Sequence, residues 1–354
     1  MRDDLPEQQY VDALLNDLEQ ELPKIWGRRL ESIFLGGGTP SLFSPQAIDR
    51  LLSGVRRLLP ARPDIEITLE ANPGTVEQSN FSEFRSAGIN RLSIGIQSFN
   101  PVHLKVLGRI HDDKEAKLAA ELAHDAGFDN FNLDLMFGLP GQSIESSQRD
   151  LQTAIDMQPA HISFYQLTLE PNTEFHVHPP KLPEDDSIWQ MQLEGQALLA
   201  SSDYQQYEVS AYAKTNQQCR HNLNYWEFGD YIGIGAGAHG KITDPANSTI
   251  SRYWKSRQPQ QYLDNASCNP AENLRHLSEK EAIFEFMLNA LRLTKGFSTD
   301  LYTERTGLLW ETASRISESS IADDLLQKRN KLIKPTALGR RFLDNLSSRF
   351  LPDD

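Results

Sequence analysis

The sequence predicts an α/β protein: a partial (βα)6-type barrel missing its first strand, followed by a small C-terminal winged-helix-like α+β module. Three observations lead there. Short apolar or β-branched runs alternate with longer helical patterns five times between residues 32 and 201, the pattern of βα units around a parallel sheet. That series is opened by a helical pattern with no strand before it, whereas a βα array ordinarily starts on a strand. After Gly240 the alternation stops and helices with one short strand pair take over.

In order along the chain, Tyr10, Leu14, Leu15, Leu18 and Leu22 recur at helical spacing within residues 7–24. Strand runs follow at 32–35, 64–69, 91–96, 130–136 and 161–167, and helical patterns at 47–59, 76–87, 101–107 with 114–126, 144–157 and 187–201. Residues 244–275, with scattered Asn, Ser, Gln and Pro, read as an irregular connection. Ile283, Phe284, Met287, Leu288 and Leu291 then mark a helix, and 332–336 leads into a last helix at 337–346. The expected domains are therefore 1–243, a connection at 244–275, and 276–354.

Composition narrows the function. A formal net charge of −14 over 354 residues argues against a nucleic-acid partner, whose phosphates are neutralised by Lys and Arg. No run approaches the ~18 apolar residues of a membrane span, and the first residues lack a secretory pattern, so no transmembrane segment and a cytoplasmic location are expected. Two cysteines, Cys219 and Cys268, exclude a disulfide framework and any site that takes three or four thiolates from these residues.

Gly36-Gly37-Gly38-Thr39-Pro40-Ser41 directly follows a strand run. Consecutive glycines admit φ > 0 and close approach of backbone to a ligand, and strand ends of a βα barrel form its ligand-binding face. Successive strand runs end on or carry Glu70, Gln97 and Asp134, and Arg109 follows in Leu107-Gly108-Arg109. A lone carboxylate at a strand end is ordinarily solvated or capping. Four polar residues at neighbouring strand ends converge on one pocket suited to a ribose, an amino-acid group or an adenine edge. No nucleophile–base pair is present among them, so no catalytic residue is assigned. A phosphate on Gly36–Thr39 is the plainer alternative.

Taken together, Gly37-Gly38-Thr39-Pro40, Glu70-Ala71-Asn72-Pro73, Gly95-Ile96-Gln97-Ser98-Phe99, Leu107-Gly108-Arg109, Asn132-Leu133-Asp134-Leu135-Met136 and Gly138-Leu139-Pro140 resemble the radical-SAM proteins around oxygen-independent coproporphyrinogen III oxidase. The stretch with Gln206-Tyr207-Glu208, His221-Asn222-Leu223-Asn224-Tyr225-Trp226 and Gly233-Ile234-Gly235-Ala236-Gly237-Ala238-His239-Gly240 resembles the HemW-type branch, the heme chaperones. The resemblance runs from about residue 7 to the end. It implies a radical-SAM barrel in which Gly37, Gly38 and Thr39 hold the methionine end of S-adenosyl-L-methionine (SAM), with Glu70, Gln97, Arg109 and Asp134 on its amino-acid and ribose portions. It also implies heme contacts at His221, Asn222, Tyr225 and Trp226, with His221 a candidate iron ligand. Physically, imidazole ligates heme iron and aromatic rings cover a macrocycle; the plain reading is a hydrogen-bonded His221 and a packed Trp226. Cys219, two residues before His221, is a second candidate ligand, although a free Cys is more often a buried hydrophobe. The run 233–240 lacks the βαβ setting of a dinucleotide fingerprint and is expected to form a strand and tight turn closing the barrel.

The family carries a 4Fe-4S cluster on a Cys-x-x-x-Cys-x-x-Cys loop after its first strand. Here the sequence opens at what would be the first barrel helix, so that loop is expected to be missing, radical catalysis is not expected, and an unpaired sheet edge is expected to lower stability. The implied function is a chaperone that binds heme and delivers it to acceptor apoproteins, respiratory and membrane-associated ones among them. The alternative is a coproporphyrinogen III oxidase acting by radical decarboxylation in porphyrin biosynthesis.

Overall fold

The computed structural model describes residues 6–74, 80–109, 111–171, 173–265 and 271–352. The chain divides into two compact units, one drawn from Ser32–Asp49 and Ile65–Cys219, the other from Met1–Glu31, Arg50–Asp64 and Arg220–Asp354.

The first unit holds a seven-stranded sheet. Its strands are β1 (Leu30–Leu35), β2 (Ala61–Ala71), β3 (Arg91–Gln97), β4 (Phe131–Phe137), β5 (His161–Gln166), β6 (Gln205–Gln206) and β7 (Ala211–Ala213), in the order β1-β2-β3-β4-β5-β7-β6. β2 to β5 pair in parallel, while β7 runs antiparallel to β5 and β6 antiparallel to β7. This is the α/β half-barrel that the alternating pattern predicts. Parallel neighbours require crossovers, supplied by helices such as Asp113–Asp125 and Ile144–Asp156. Asp112 and Glu115 close a reciprocal capping box on the first of these, and Ser143 caps the second. Leu69, Leu92, Ile94, Ile96, Leu133, Leu135 and Ile162 are buried, giving the near-continuous apolar runs of strands covered on both faces. The expected helix at 76–87 is observed as Phe81–Ala87, ended by Gly88 at φ +108°; residues 75–79 lie outside the described set.

The second unit carries two small antiparallel sheets. One joins β8 (His239–Asp244), β9 (Thr249–Lys255) and β10 (Ala271–His276) in the order β10-β9-β8. The other joins β11 (Phe297–Ser298), β12 (Leu326–Arg329) and β13 (Leu332–Pro335) in the order β11-β13-β12, with helices Glu279–Ala290, Thr299–Thr306 and Glu311–Ala322 around it. Phe286 centres this core, its ring 5.8, 5.0 and 5.1 Å from those of Phe228, Phe297 and Tyr302.

Among its described residues the polar stretch 244–275 is therefore not irregular, as its composition suggested, but carries β9, a helix at Pro259–Asn265 and β10. β9 buries every second or third residue (Ile250, Tyr253, Lys255) and pairs its polar ones, Arg252 bonding Tyr231 and Glu285. The turn entering β9 is built by the Asp244 carboxylate, which accepts from the backbone N–H of Ala246 at 2.9 Å. Polar side chains with assigned partners look in composition like a loop.

Candidate functional site

β1 delivers the chain to Gly36, and Gly37 and Gly38 then turn with φ +80° and +70°. A Cβ on Gly36 would lie 2.4 Å from Phe34 and 2.9 Å from the Glu70 carboxyl carbon, whereas Gly37 and Gly38 open onto empty space. The loop lies against Glu70 because Gly37 N–H donates to Glu70 Oε2 at 3.1 Å, and Asn72 Nδ2 donates to Thr39 Oγ1 at 3.4 Å.

β3 ends on a shift of register against β4 between Ile94 and Gln97. Gln97 takes φ +70°, a left-handed conformation that costs about 1–3 kcal/mol outside glycine. Such irregularities re-aim a side chain. Here the Gln97 amide oxygen accepts from the Tyr165 hydroxyl at 2.7 Å. On β4, the Asp134 carboxylate accepts from Asn132 Nδ2 at 2.8 Å and from Ser93 Oγ at 3.2 Å.

One cavity of about 240 Å³ is lined by Gly38, Thr39, Glu70, Gln97, Arg109 and Asp134, together with Asn72 and Ser93. The strand-end residues singled out in the sequence thus meet in one place, with Gly37 behind Glu70. Burial pushes the Glu70 carboxyl up from its ordinary range, against the pull of Gly37 N–H and with the help of the Asp134 charge. Burial likewise pushes Asp134 up, opposed by its bonds to Asn132, Ser163 and Ser93. Two desolvated carboxylates beside flexible backbone N–H groups form a site for a cationic, hydroxyl-bearing ligand. A larger groove of about 790 Å³ beside β6, lined by Tyr204, Gln206 and Lys214 among others, gathers no such carboxylate pair.

Sequence reasoning missed the layer behind Asp134. Asn132 Nδ2 donates to Ser93 Oγ at 2.8 Å as well as to Asp134, which leaves Asn132 Oδ1 facing His161 Nδ1 at 2.7 Å. The orientation of the amide fixes the tautomer: His161 Nδ1–H donates to Asn132, and Nε2 accepts from the Tyr207 hydroxyl at 2.9 Å. Burial, and after it the Arg91 charge, hold His161 well below the usual imidazole value, so it is neutral. His161 opens the β5 run in the sequence, and the period-2 alternation Asn132, Asp134 was the signal that could have linked it to the site.

The second cluster sits in the other unit. His221, Asn222, Tyr225 and Trp226 share the short helix Arg220–Trp226 and are all partly exposed. The His221 ring meets Tyr225 edge-on at 4.7 Å, and Tyr225 meets Tyr231 at 4.5 Å. Burial pushes the Tyr225 hydroxyl up to about 12. Trp226 has the Arg292 guanidinium over its ring at 4.3 Å, so that ring is already packed on one face. Cys219, the other candidate iron ligand, is excluded from a surface role: it is 1% exposed and its thiol lies 3.4 Å from Glu66 Oε1. Cys268 lies outside the described residues.

The glycine run expected to form a strand is instead a loop until His239, with Gly235 and Gly237 at φ +107° and +73°. It belongs to the second unit, held by side chains: Gly235 N–H donates to Tyr262 Oη at 3.1 Å and Asp17 Oδ2 at 3.3 Å, and Ala236 N–H to Tyr10 Oη at 3.0 Å. Beneath it, Lys255 Nζ binds Asp17 at 2.7 Å and Glu21 at 2.8 Å, all three fully buried.

Among the described residues no group of three His, Cys, Asp or Glu side chains suits a metal ion, and no helix is long and apolar enough to cross a membrane.

Comparison with known proteins gives concordant matches. The Radical SAM superfamily model matches residues 7–154 and the HemN C-terminal domain model residues 277–342. The Radical SAM match implies SAM and a 4Fe-4S cluster; of the two cysteines, Cys219 and Cys268, the first is taken up against Glu66. The protein named heme chaperone HemW in Escherichia coli (strain K12) is 46% identical over 353 residues, covering 100% of this chain and 92% of that protein. The one so named in Bacillus subtilis (strain 168) is 33% identical, covering 84% and 80%. Mouse radical S-adenosyl methionine domain-containing protein 1, mitochondrial, is 32% identical, covering 92% and 76%. The solved structure of E. coli coproporphyrinogen III oxidase (HemN) superposes with a TM-score of 0.81 at 23% identity, covering 99% of this chain and 84% of that one, a likeness of fold.

Proposed function

We propose that this chain, which belongs to the HemW family of heme chaperones within the radical SAM superfamily, binds heme as cargo for transfer to an acceptor apoprotein and holds SAM in the half-barrel pocket. The observation that carries the SAM reading is the convergence of Gly38, Thr39, Glu70, Gln97, Arg109 and Asp134 on one cavity. SAM is a cationic sulfonium with an ammonium, a carboxylate and two ribose hydroxyls. Desolvated Glu70 and Asp134 suit the ammonium and the ribose hydroxyls, Arg109 suits the carboxylate, and the Gly37–Thr39 backbone suits the methionine end. When bound, SAM supplies the activated sulfonium on which the chemistry of the superfamily rests.

The protein's own part in this site is positioning. Ser93 and Asn132 clamp both oxygens of Asp134, and neutral His161 fixes the amide of Asn132. Gln97 is fixed through its strained backbone and Tyr165.

For the cargo, the His221–Tyr225–Tyr231 run offers an imidazole and an aromatic surface to a porphyrin, and Asn222 a hydrogen-bonding side chain beside them. Within this reading residues 276–354 serve as a packing or covering module. The test is a heme titration of the full chain followed in the Soret region, with SAM binding measured by calorimetry on the same preparation. A saturable band at stoichiometric heme supports the reading. A purely linear, unsaturable response overturns the cargo assignment, and absence of SAM heat overturns the pocket assignment.

A further inference from the structure

We propose that His239 supplies the imidazole that binds the iron of the heme cargo, with Trp254 as the ring platform beside it; this rests on the heme reading above. An imidazole that takes up incoming heme iron must present its sp² nitrogen lone pair to solvent on a backbone that does not shift. His239 does both. It is exposed, and among the described residues neither ring nitrogen has a hydrogen-bond or ion-pair partner. Its ring lies nearly parallel to Trp254, 27° between planes at 6.3 Å. His221, by contrast, already holds its ring edge-on to Tyr225.

The backbone on both sides of His239 is fixed. A Cβ on Gly233 would fall 2.0 Å from the His239 carbonyl oxygen, and one on Gly240 would fall 2.0 Å from the Tyr253 ring. Glycine at these positions lets the neighbouring chain close on the strand. Lys255 N–H also donates to Ala238 O at 2.8 Å. The glycine run is thus the mount of the imidazole, which explains a motif that no dinucleotide role absorbs.

Register joins His239 to the aromatic cluster. Antiparallel partners share a sheet face, and so do residues two apart on a strand. Tyr231 pairs with Lys241, and Lys241 with Arg252, so these three form one row, and Arg252 Nη1 donates to Tyr231 Oη at 2.6 Å. The pair His239–Trp254 is the next row, about 7 Å along the strand. The Lys241 row is covered, with Lys241 Nζ on Phe228 O and Asp230, and Arg252 on Glu285. The next row carries the exposed His239. Tyr231, in contact with Tyr225, therefore flanks a free imidazole on the same face.

The test is titration of the full chain with ferric heme, read as Soret position, spin state by electron paramagnetic resonance, and affinity, in parent, His239→Ala, His239→Met, Trp254→Leu and His221→Ala proteins. His239→Ala is expected to lose the imidazole-ligated spectrum and at least about ten-fold in affinity, with the spectrum restored by added imidazole. His239→Met is expected to move the band to that of a thioether ligand, and it keeps the question open to decision should the alanine variant fold poorly. Trp254→Leu should weaken affinity while keeping the ligated spectrum, and His221→Ala should keep that spectrum too. Unchanged spectra in both His239 variants, or loss of the ligated spectrum only in His221→Ala, would overturn the proposal while leaving heme binding intact. No saturable band in the parent would sink the heme reading itself.

Discussion

Replacing His161 by Phe removes two buried hydrogen bonds, one to Asn132 Oδ1 and one from the Tyr207 hydroxyl. Net values of about 1 kcal/mol for each such bond put the cost near 2 kcal/mol at pH 8. The pH dependence follows from the neutral state of the imidazole. Burial keeps its folded value well below the ordinary one, so below about pH 6.5 the unfolded chain takes up a proton that the folded chain refuses. Stability contributed by this site is therefore full above that pH and is lost as the pH falls, by about 1.4 kcal/mol per unit. Towards acid pH the parent therefore loses stability that the Phe variant cannot lose, and the gap between the two proteins narrows. Urea unfolding of both at pH 8, 6.5 and 5 measures the difference, and subtraction cancels the other titrating groups. A gap of the same size at pH 8 and pH 5 would refute the neutral, doubly bonded imidazole.

Three further outcomes follow from the geometry. Lys255→Met leaves Asp17 and Glu21 buried without their shared cation and should cost about 3–5 kcal/mol at neutral pH; because burial raises the Asp17 carboxyl, the deficit in thermal melts should shrink towards acid pH. Gly36→Ala drives a methyl into Phe34 and the Glu70 carboxyl, costing about 1–3 kcal/mol in denaturant unfolding and weakening SAM binding through displacement of Glu70. Glu70→Gln removes the charge but not the shape, and calorimetry should find SAM affinity reduced about 10- to 100-fold, the loss of one charge-assisted bond; an unchanged affinity would remove Glu70 from the site.

The half-barrel was legible because its strands are long and apolar and its helices carry strong caps, Asp112 and Ser143 among them. β6 and β7 were not, since strands of two and three residues are too short to impose a period. Glu70 and Gln97 could be read because each stands where an apolar run stops, and Asp134 because it interrupts one. His161 could not: it begins its strand, and its role exists only through Asn132 on the neighbouring one. The charges of Lys255, Asp17 and Glu21 look like solvated residues in one dimension, and only the approach of β9 to the first helix, Glu7–Glu21, turns them into a buried triad.

That triad also sets a timetable. The Gly235–Asp17 bond joins residues 218 apart, and Lys255 reaches Asp17 across 238. During synthesis at about 5–20 residues per second, the first helix must wait roughly ten to fifty seconds for the strand that neutralises it. Throughout that interval Asp17 is without its cation, and Glu21 has only Lys24 three residues on. That wait is spent on the ribosome, so substitutions that make the waiting helix less soluble should lower the yield of the chain while leaving the finished fold untouched.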